Sequence, residues 1–416
     1  MSNPKVAVIV VNYNSKSKWS VISESLQSIL TMNYRPIEII IVDNGSTDGS
    51  FELIEQLVDR VKQNQDVAIR IVRLSKNYGF AVANMIAYRF RSLDAQYIAL
   101  INDDMCPAQD SLQRLIEFLE KLSNKVAGVQ GIMLTWDGRY VQSYGGYLTD
   151  HGAHGSIGAY MPISELSRDK LKPIPVGYLD GAYSIYRVEA IKKVGGLFLP
   201  YFFMWGDDYE LGIRLWRAGF MLLAVPIIVG RHFAGATSRE EKGVYEPPKI
   251  PYIYEYHMWR SNIAVTVLYS YPYPLQLLKR MPEAIIVSMF KKSKAIIRGF
   301  IDGMLLGITL RRRILKKMPW LNKLKEPRVY VRILHELAFL LRLYLQYRYR
   351  ASKVYSIITK RALLKAAISA RSGFFEQEAS MRTPTKRAGR CGGEEISRGW
   401  ATGFTAPDTS SFPEER

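Results

Sequence analysis

Three short aliphatic runs, each cut off by an amide or an acid, do most to limit what this chain can fold into. Lys5 to Val11 leads into Asn12-Tyr13-Asn14, Ile37 to Val42 into Asp43-Asn44-Gly45-Ser46, and Tyr97 to Ile101 into Asn102-Asp103-Asp104. Continuous apolar runs of this length suit strands buried on both faces, the condition of a parallel sheet. Helical patterns lie between them, carried by Leu26, Ile29 and Leu30 and then by Phe51, Ile54, Leu57 and Val58. The order βαβα with right-handed crossovers predicts an α/β fold, a mostly parallel sheet flanked by helices. Ligands in such sheets collect at the carboxyl ends of the strands. This chain places its amides and acids there.

No Gly-x-Gly-x-x-Gly and no Walker lysine follows the first run, which disfavours a dinucleotide dehydrogenase or a P-loop enzyme. Asp43 is placed to accept hydrogen bonds from a base or ribose; its other reading is a turn residue, since Asp-Asn-Gly-Ser is rich in turn formers. Asp104 reads as a ligand for Mg²⁺ or Mn²⁺, hard cations held by one or two carboxylates plus substrate phosphates. His232, after another strand-like run, offers an imidazole on the other side. Between them stands Phe203-Met204-Trp205-Gly206-Asp207-Asp208-Tyr209-Glu210, an aromatic loop followed by adjacent carboxylates at the mouth of a helix. Mutual charge and burial raise a carboxyl pKa from about 4 toward a general base's working range. The competing reading is an N-terminal helix cap.

With these pieces in order, the chain resembles family 2 glycosyltransferases with the GT-A nucleotide-diphospho-sugar transferase fold, over residues 5 to about 265. The matching segments are Val10 to Asn14, Ile41 to Ser50, Asn77 to Ala81, Asn102-Asp103-Asp104, Gly181-Ala182 with Arg187, Gly195-Gly196, Asp207-Asp208 and His232. Within the family it is most similar to the rhamnosyltransferase and galactofuranosyltransferase branch. The resemblance implies that Asp43 contacts the base, Asn77 lies near the nucleotide, Asp104 and His232 hold the metal, and Asp208 is the general base beside Asp207. Asn12 and Asp103 join the donor side, Trp205 and Gly181 the acceptor side. Asn102-Asp103-Asp104 departs from a strict Asp-x-Asp, so the first metal or ribose contact falls to Asp103 or to water.

The implied reaction is inverting, metal-dependent and non-processive, from a UDP- or dTDP-linked sugar to a saccharide hydroxyl. A processive synthase of this fold usually carries Gln-x-x-Arg-Trp and several membrane spans, and Arg214-Leu215-Trp216-Arg217 is not that motif. A catalytically inactive sugar-nucleotide-binding module is the other alternative; retention of the acids and the histidine argues against it.

Charge separates the chain into three parts. Lys and Arg exceed Asp and Glu by 19 overall, and residues 250–372 alone carry 24 basic against 5 acidic side chains. Basic clusters there alternate with apolar stretches too short or too interrupted to span a bilayer, so amphipathic helices at a membrane surface are expected rather than a nucleic-acid platform. The division is a catalytic domain at 1–250, a basic amphipathic region at 251–371 and a disordered tail at 372–416. A water-soluble donor met by a membrane-surface module suggests a polyprenyl-linked acceptor and a cytoplasmic, peripheral location on the inner face of the membrane. Cys106 and Cys391 make no disulfide framework, and the first residues show no leader pattern, so secretion is not expected. Residues 136–175 are expected to form a flexible acceptor-side loop, with His151 and His154 exposed on it.

Overall fold

The computed structural model describes residues 3–62, 67–148, 154–166, 172–234, 252–270 and 273–322. The expected tail, His151 and the Leu-, Tyr- and Arg-rich stretch 329–349 lie outside them. The first part alternates as the aliphatic runs predict: β1 (Val6–Asn12), α1 (Trp19–Leu30), β2 (Ile37–Asp43), α2 (Ser50–Lys62), β3 (Ala68–Arg73), α3 (Phe80–Phe90) and β4 (Tyr97–Ile101). The strands lie side by side as β4-β1-β2-β3, all parallel. Every residue of β2 and β4 is buried, whereas β3, at the edge, is partly open.

Beyond β4 the sheet stops being parallel. The chain continues through β5 (Met105–Pro107), α4 (Ser111–Glu120), β6 (Val126–Thr135), β7 (Val141–Ser143), β8 (Gly146–Leu148), β9 (His154–Ser156), β10 (Ile174–Pro175), β11 (Tyr183–Arg187), α5 (Val188–Lys193), α6 (Asp207–Arg217) and β12 (Met221–His232). β11 lies antiparallel between β4 and β6. A parallel return needs a crossover, usually a helix, and the described residues between β6 and β11 supply only short strands and turns. The ten-stranded sheet is therefore mixed, with β12 again parallel to β6. Register shifts in β12 bracket Pro226, whose missing N–H suits an irregular position. They carry the strand on until His232 stands opposite Met105, next to Asp104.

The flexible loop expected at 136–175 is largely built structure. It contains β7, β8 and β9, and Tyr144 and Tyr147 are almost wholly buried. His154 is half-buried rather than exposed, stacked on Tyr209 with ring centroids 4.3 Å apart.

Three helices follow: α7 (Tyr252–Tyr269), α8 (Tyr273–Lys291) and α9 (Lys294–Lys317). Gly299, Gly303 and Gly307 fall every four residues along α9, directly over the backbone oxygens of Tyr256, Arg260 and Ala264 in α7. A Cβ at any of them would lie inside van der Waals contact, so the spacing lets the two backbones approach closely. The core does not end at residue 250: Ala264, Val265, Leu268 and Tyr269 of α7 and Leu310 and Ile314 of α9 share one cluster with Leu211 and Leu215 of α6. Arg217 closes the seam by donating to the carbonyls of Leu321 (2.7 Å) and Tyr269 (2.6 Å). No helix among the described residues is long and apolar enough to cross a membrane.

Candidate active site

The ends of β1 and β2 form a hydrogen-bonded floor. Asn12 donates to Asp43 Oδ1 at 3.2 Å, and the Ser46 amide donates to Asp43 Oδ2 at 3.1 Å. Asp43 has no exposed surface. Both its oxygens hold the turn, as the turn reading expects, and no face of the carboxylate stands open. Asn77 Oδ1 accepts from Asn44 Nδ2 (2.8 Å) and from the Gly79 amide (2.9 Å), joining the loop after β3 to the same floor.

Gly79 then fixes the approach of the aromatic loop. It has φ +84°, and a Cβ there would collide with the Phe203 carbonyl. The Phe80 amide donates to that carbonyl at 2.6 Å. Phe203 stacks on His257 of α7 at 4.6 Å, and Trp205 meets Tyr254 edge-on at 5.9 Å. Phe203 therefore has one face covered by α7, while Trp205, expected on the acceptor side, is half-buried. Trp205 (φ 55°) and Gly206 (φ 89°) are both left-handed and swing the chain abruptly into α6. Such a conformation costs a non-glycine residue on the order of 1–3 kcal/mol and persists only where its surroundings hold it. Here Ser261 donates to the Met204 carbonyl at 3.1 Å.

At the end of β4, Asp104 and His232 touch: His232 Nε2 lies 2.9 Å from Asp104 Oδ1, and Nδ1 lies 2.7 Å from Gln142 Oε1. With its proton on Nδ1 facing Gln142, the imidazole turns a lone pair toward the carboxylate, an arrangement a cation would relieve. Two further oxygens at this strand end, Asn102 Oδ1 and Asp103 Oδ2, are buried without a hydrogen-bond partner. Burial first, and the charge of Asp104 second, push the Asp103 carboxyl well above the usual range. Oxygen acceptors plus one imidazole suit Mn²⁺ or Mg²⁺. The described residues contain no group of three or more His, Cys, Asp and Glu side chains that would cage an ion unaided, so substrate oxygens would complete the shell.

The acid pair opens α6, with Gly206 as the preceding cap residue. The helix-terminus reading is thus correct as geometry, but the pair does not behave as an ordinary cap. Asp207 is buried with Oδ2 unpartnered, and burial, reinforced by Glu210, raises its pKa to about 7. Asp208 is half-buried and accepts the Tyr209 amide at 2.7 Å. Its pKa is raised well above normal by burial, then by Asp207, then by Asp180. The pair holds a proton near neutrality. A Cβ at Gly181 would only just touch the Phe80 ring, and the Ala182 carbonyl accepts the Asn102 amide at 3.0 Å. The segment Asp180-Gly181-Ala182 thereby bridges the Asp104 cluster and the acid pair.

Residues 7–195 match the model of the family described as glycosyl transferase family 2. That segment is a family 2 glycosyltransferase domain. The chain is 28% identical over 232 residues to the N-acetylglucosaminyl-diphospho-decaprenol L-rhamnosyltransferase of Mycobacterium tuberculosis, a match covering 52% of this chain and 73% of that one. It is also similar to the structure of a mannosyltransferase of Pyrobaculum calidifontis in complex with GDP-Man and Mn²⁺, at 16% identity and TM-score 0.45, covering 89% of this chain and 88% of that one.

In this glycosyltransferase the sequence reading missed Asp180, and it named His154 but expected it exposed on a loop. Asp180 stands directly before the Gly181-Ala182 pair that was singled out, and an acid in that place was the available signal. The placement of His154 had no local signal, because its contacts with Tyr209 and with Asn262 (Nδ1 to Nδ2, 3.2 Å) join residues far apart in the chain. Arg187, one of the matching segments, sits at the opposite end of β11, donating to Tyr97 Oη and the Leu119 carbonyl at 2.6 Å each. Its place there is structural. Asp180→Asn removes a negative neighbour of Asp208, so the proton should leave at lower pH. If Asp208 takes part in turnover, the acid limb of the kcat profile is expected to move to lower pH, with the plateau rate within a few-fold of the parent; an unmoved limb would exclude Asp180 from the surroundings of the titrating group.

Proposed function

We propose that this enzyme is an inverting, metal-dependent, non-processive glycosyltransferase that moves a sugar from a UDP- or dTDP-linked donor to a hydroxyl of a polyprenyl-linked saccharide. The observation that carries the reading is the acid pair: two adjacent carboxylates whose burial keeps a proton near neutral pH, at the end of an aromatic loop tied to the Asn77–Gly79 segment. A base tuned to that range suits removal of a hydroxyl proton.

On this reading Asn12, Asp43, Asn77 and Asp103 shape the donor side, while Trp205 and Gly181 line the acceptor side. Asp208 in its ionised form takes the acceptor proton as the hydroxyl oxygen bonds to the anomeric carbon and the bond from that carbon to the diphosphate breaks on the opposite face. Asp207 keeps the proton affinity of Asp208 high. Asp104 and His232 would hold the divalent ion, which when bound neutralises charge building on the departing diphosphate. Catalysis is assigned to residues 1–250 and attachment to the inner face of the membrane to 251–371, with α7 serving both through the shared core. The lipid-linked acceptor is supported by the charge of that region and by the relative, whose name places its own acceptor sugar on diphospho-decaprenol.

Asp104→Asn and His232→Ala are each expected to weaken Mn²⁺ binding, measured by calorimetry with nucleoside diphosphate present, by at least tenfold. Unchanged affinity in both variants would remove them as ligands. The reaction itself is tested with single sugar nucleotides, Mg²⁺ or Mn²⁺ against chelator, and a lipid extract as acceptor, scored by released nucleoside diphosphate.

A further inference from the structure

Helix α8 turns an apolar stripe outward as well as inward. Leu275, Leu278, Met281, Ile285 and Met289 are 47, 62, 44, 44 and 72% exposed. Their spacing of three, three, four and four residues puts them on one stripe, and Phe290 flanks it at 66%. The opposite face packs Ala284 and Val287 against Trp259, Ile263 and Val267 of α7 and carries two ion pairs. Arg280 is buried, 3.1 Å from Glu283, and Lys291 pairs with Glu255 of α7 at 2.7 Å. Soluble monomers seldom present so continuous an apolar stripe.

We propose that the outward face of α8 is the seat of the protein on an anionic bilayer, lying in the boundary between headgroups and acyl chains. The proposal rests on the lipid-linked acceptor reading and names the surface that would serve it. Charge selects the occupant. From Tyr273 to Lys317 the chain has 11 Lys and Arg against 2 Asp and Glu, with Lys279, Lys292 and Lys294 exposed beside or at the end of the stripe. A second copy of the chain would meet the same positive field and be repelled; an anionic headgroup layer is attracted. The opposite face of α8 connects toward the acid pair: Arg280 donates to Asn262 Oδ1 (3.3 Å), and Asn262 contacts His154, which stacks on Tyr209 beside Asp208. A helix seated this way holds the acceptor side of the site next to the surface from which a lipid-linked saccharide emerges.

The test is sedimentation of the full chain with vesicles of phosphatidylglycerol and phosphatidylcholine, against phosphatidylcholine alone. The parent protein is expected to bind the anionic vesicles at least tenfold more tightly. A Leu278→Asp, Met289→Asp double variant is expected to lose at least tenfold of that binding while its circular dichroism and sugar-nucleotide affinity stay as in the parent. Vesicle binding unaffected by the double variant overturns the proposal. So does light scattering that shows a parent dimer, split by the double variant, with no vesicle binding by either. Donor turnover without vesicle binding sinks the seat and leaves the transferase reading standing; vesicle binding without turnover of any donor does the reverse.

Discussion

Asp208→Asn is expected to lower transfer by roughly 10²–10⁴-fold, the contribution of a positioned general base, with donor affinity within a few-fold of the parent. Calorimetry with the sugar nucleotide separates this from collapse of the site. A loss of donor binding as severe as the loss of turnover would make Asp208 structural. Stability supplies a second check. A buried acid whose folded-state pKa is raised contributes its full stability below the unfolded value, about 4, and loses it as pH rises through the folded value. For Asp207 that window runs up to about 7, and Asp208 is displaced in the same direction. The parent at pH 8 therefore carries a carboxylate charge that folding disfavours, and the amide removes it. The Tm of Asp208→Asn at pH 8 is expected to equal or exceed the parent's, an outcome at odds with any merely structural role.

Arg214→Ala should have the largest effect on folding. Its guanidinium has no exposed surface and bonds Glu210 at 2.9 Å while donating to the carbonyls of Val194 (3.0 Å), Gly196 (2.8 Å) and Leu197 (2.8 Å). Tyr269 donates to the same Glu210. Removing the cation leaves a buried carboxylate and three carbonyls unsatisfied, which costs about 3–5 kcal/mol. A Tm lower by roughly 8–15 °C is expected. A loss below 2 °C would mean that water or a neighbour replaces the guanidinium readily. Glu210→Gln should be milder, since the amide still accepts from Tyr269.

Strands β1, β2 and β4 were legible because their information is local, whereas β3, a half-open edge strand interrupted by charges, gave no such run. An aliphatic run capped by an acid says both strand and site, and Asp43, Asp104 and the acid pair all fall at element ends. The turn at β11 was not legible, since its direction depends on the missing crossover between β6 and β11. His232 was found but its neighbours were not: Gln142 and Asn102 reach it only through the pairing of β12 with β5 and β6. The basic region was read as surface helices throughout. Its glycine spacing at 299, 303 and 307 marks the face of α9 that presses on α7, while Ile301 and Leu305 of the same helix stay exposed. Sequence pattern marks α8 and α9 as alike; only packing separates an apolar face pressed on α7 from one turned outward.

The sharing of one core across residue 250 bears on how the protein is made. Asp207 and Asp208 open a helix whose next residue but one, Glu210, is held by Tyr269, and whose last residue, Arg217, is held by Tyr269 and Leu321. A ribosome has thus to synthesise about a hundred further residues after the acid pair before its helix acquires all its anchors. The helix that opens with the acid pair therefore gains its last anchors only once the basic helices have been made and packed against it.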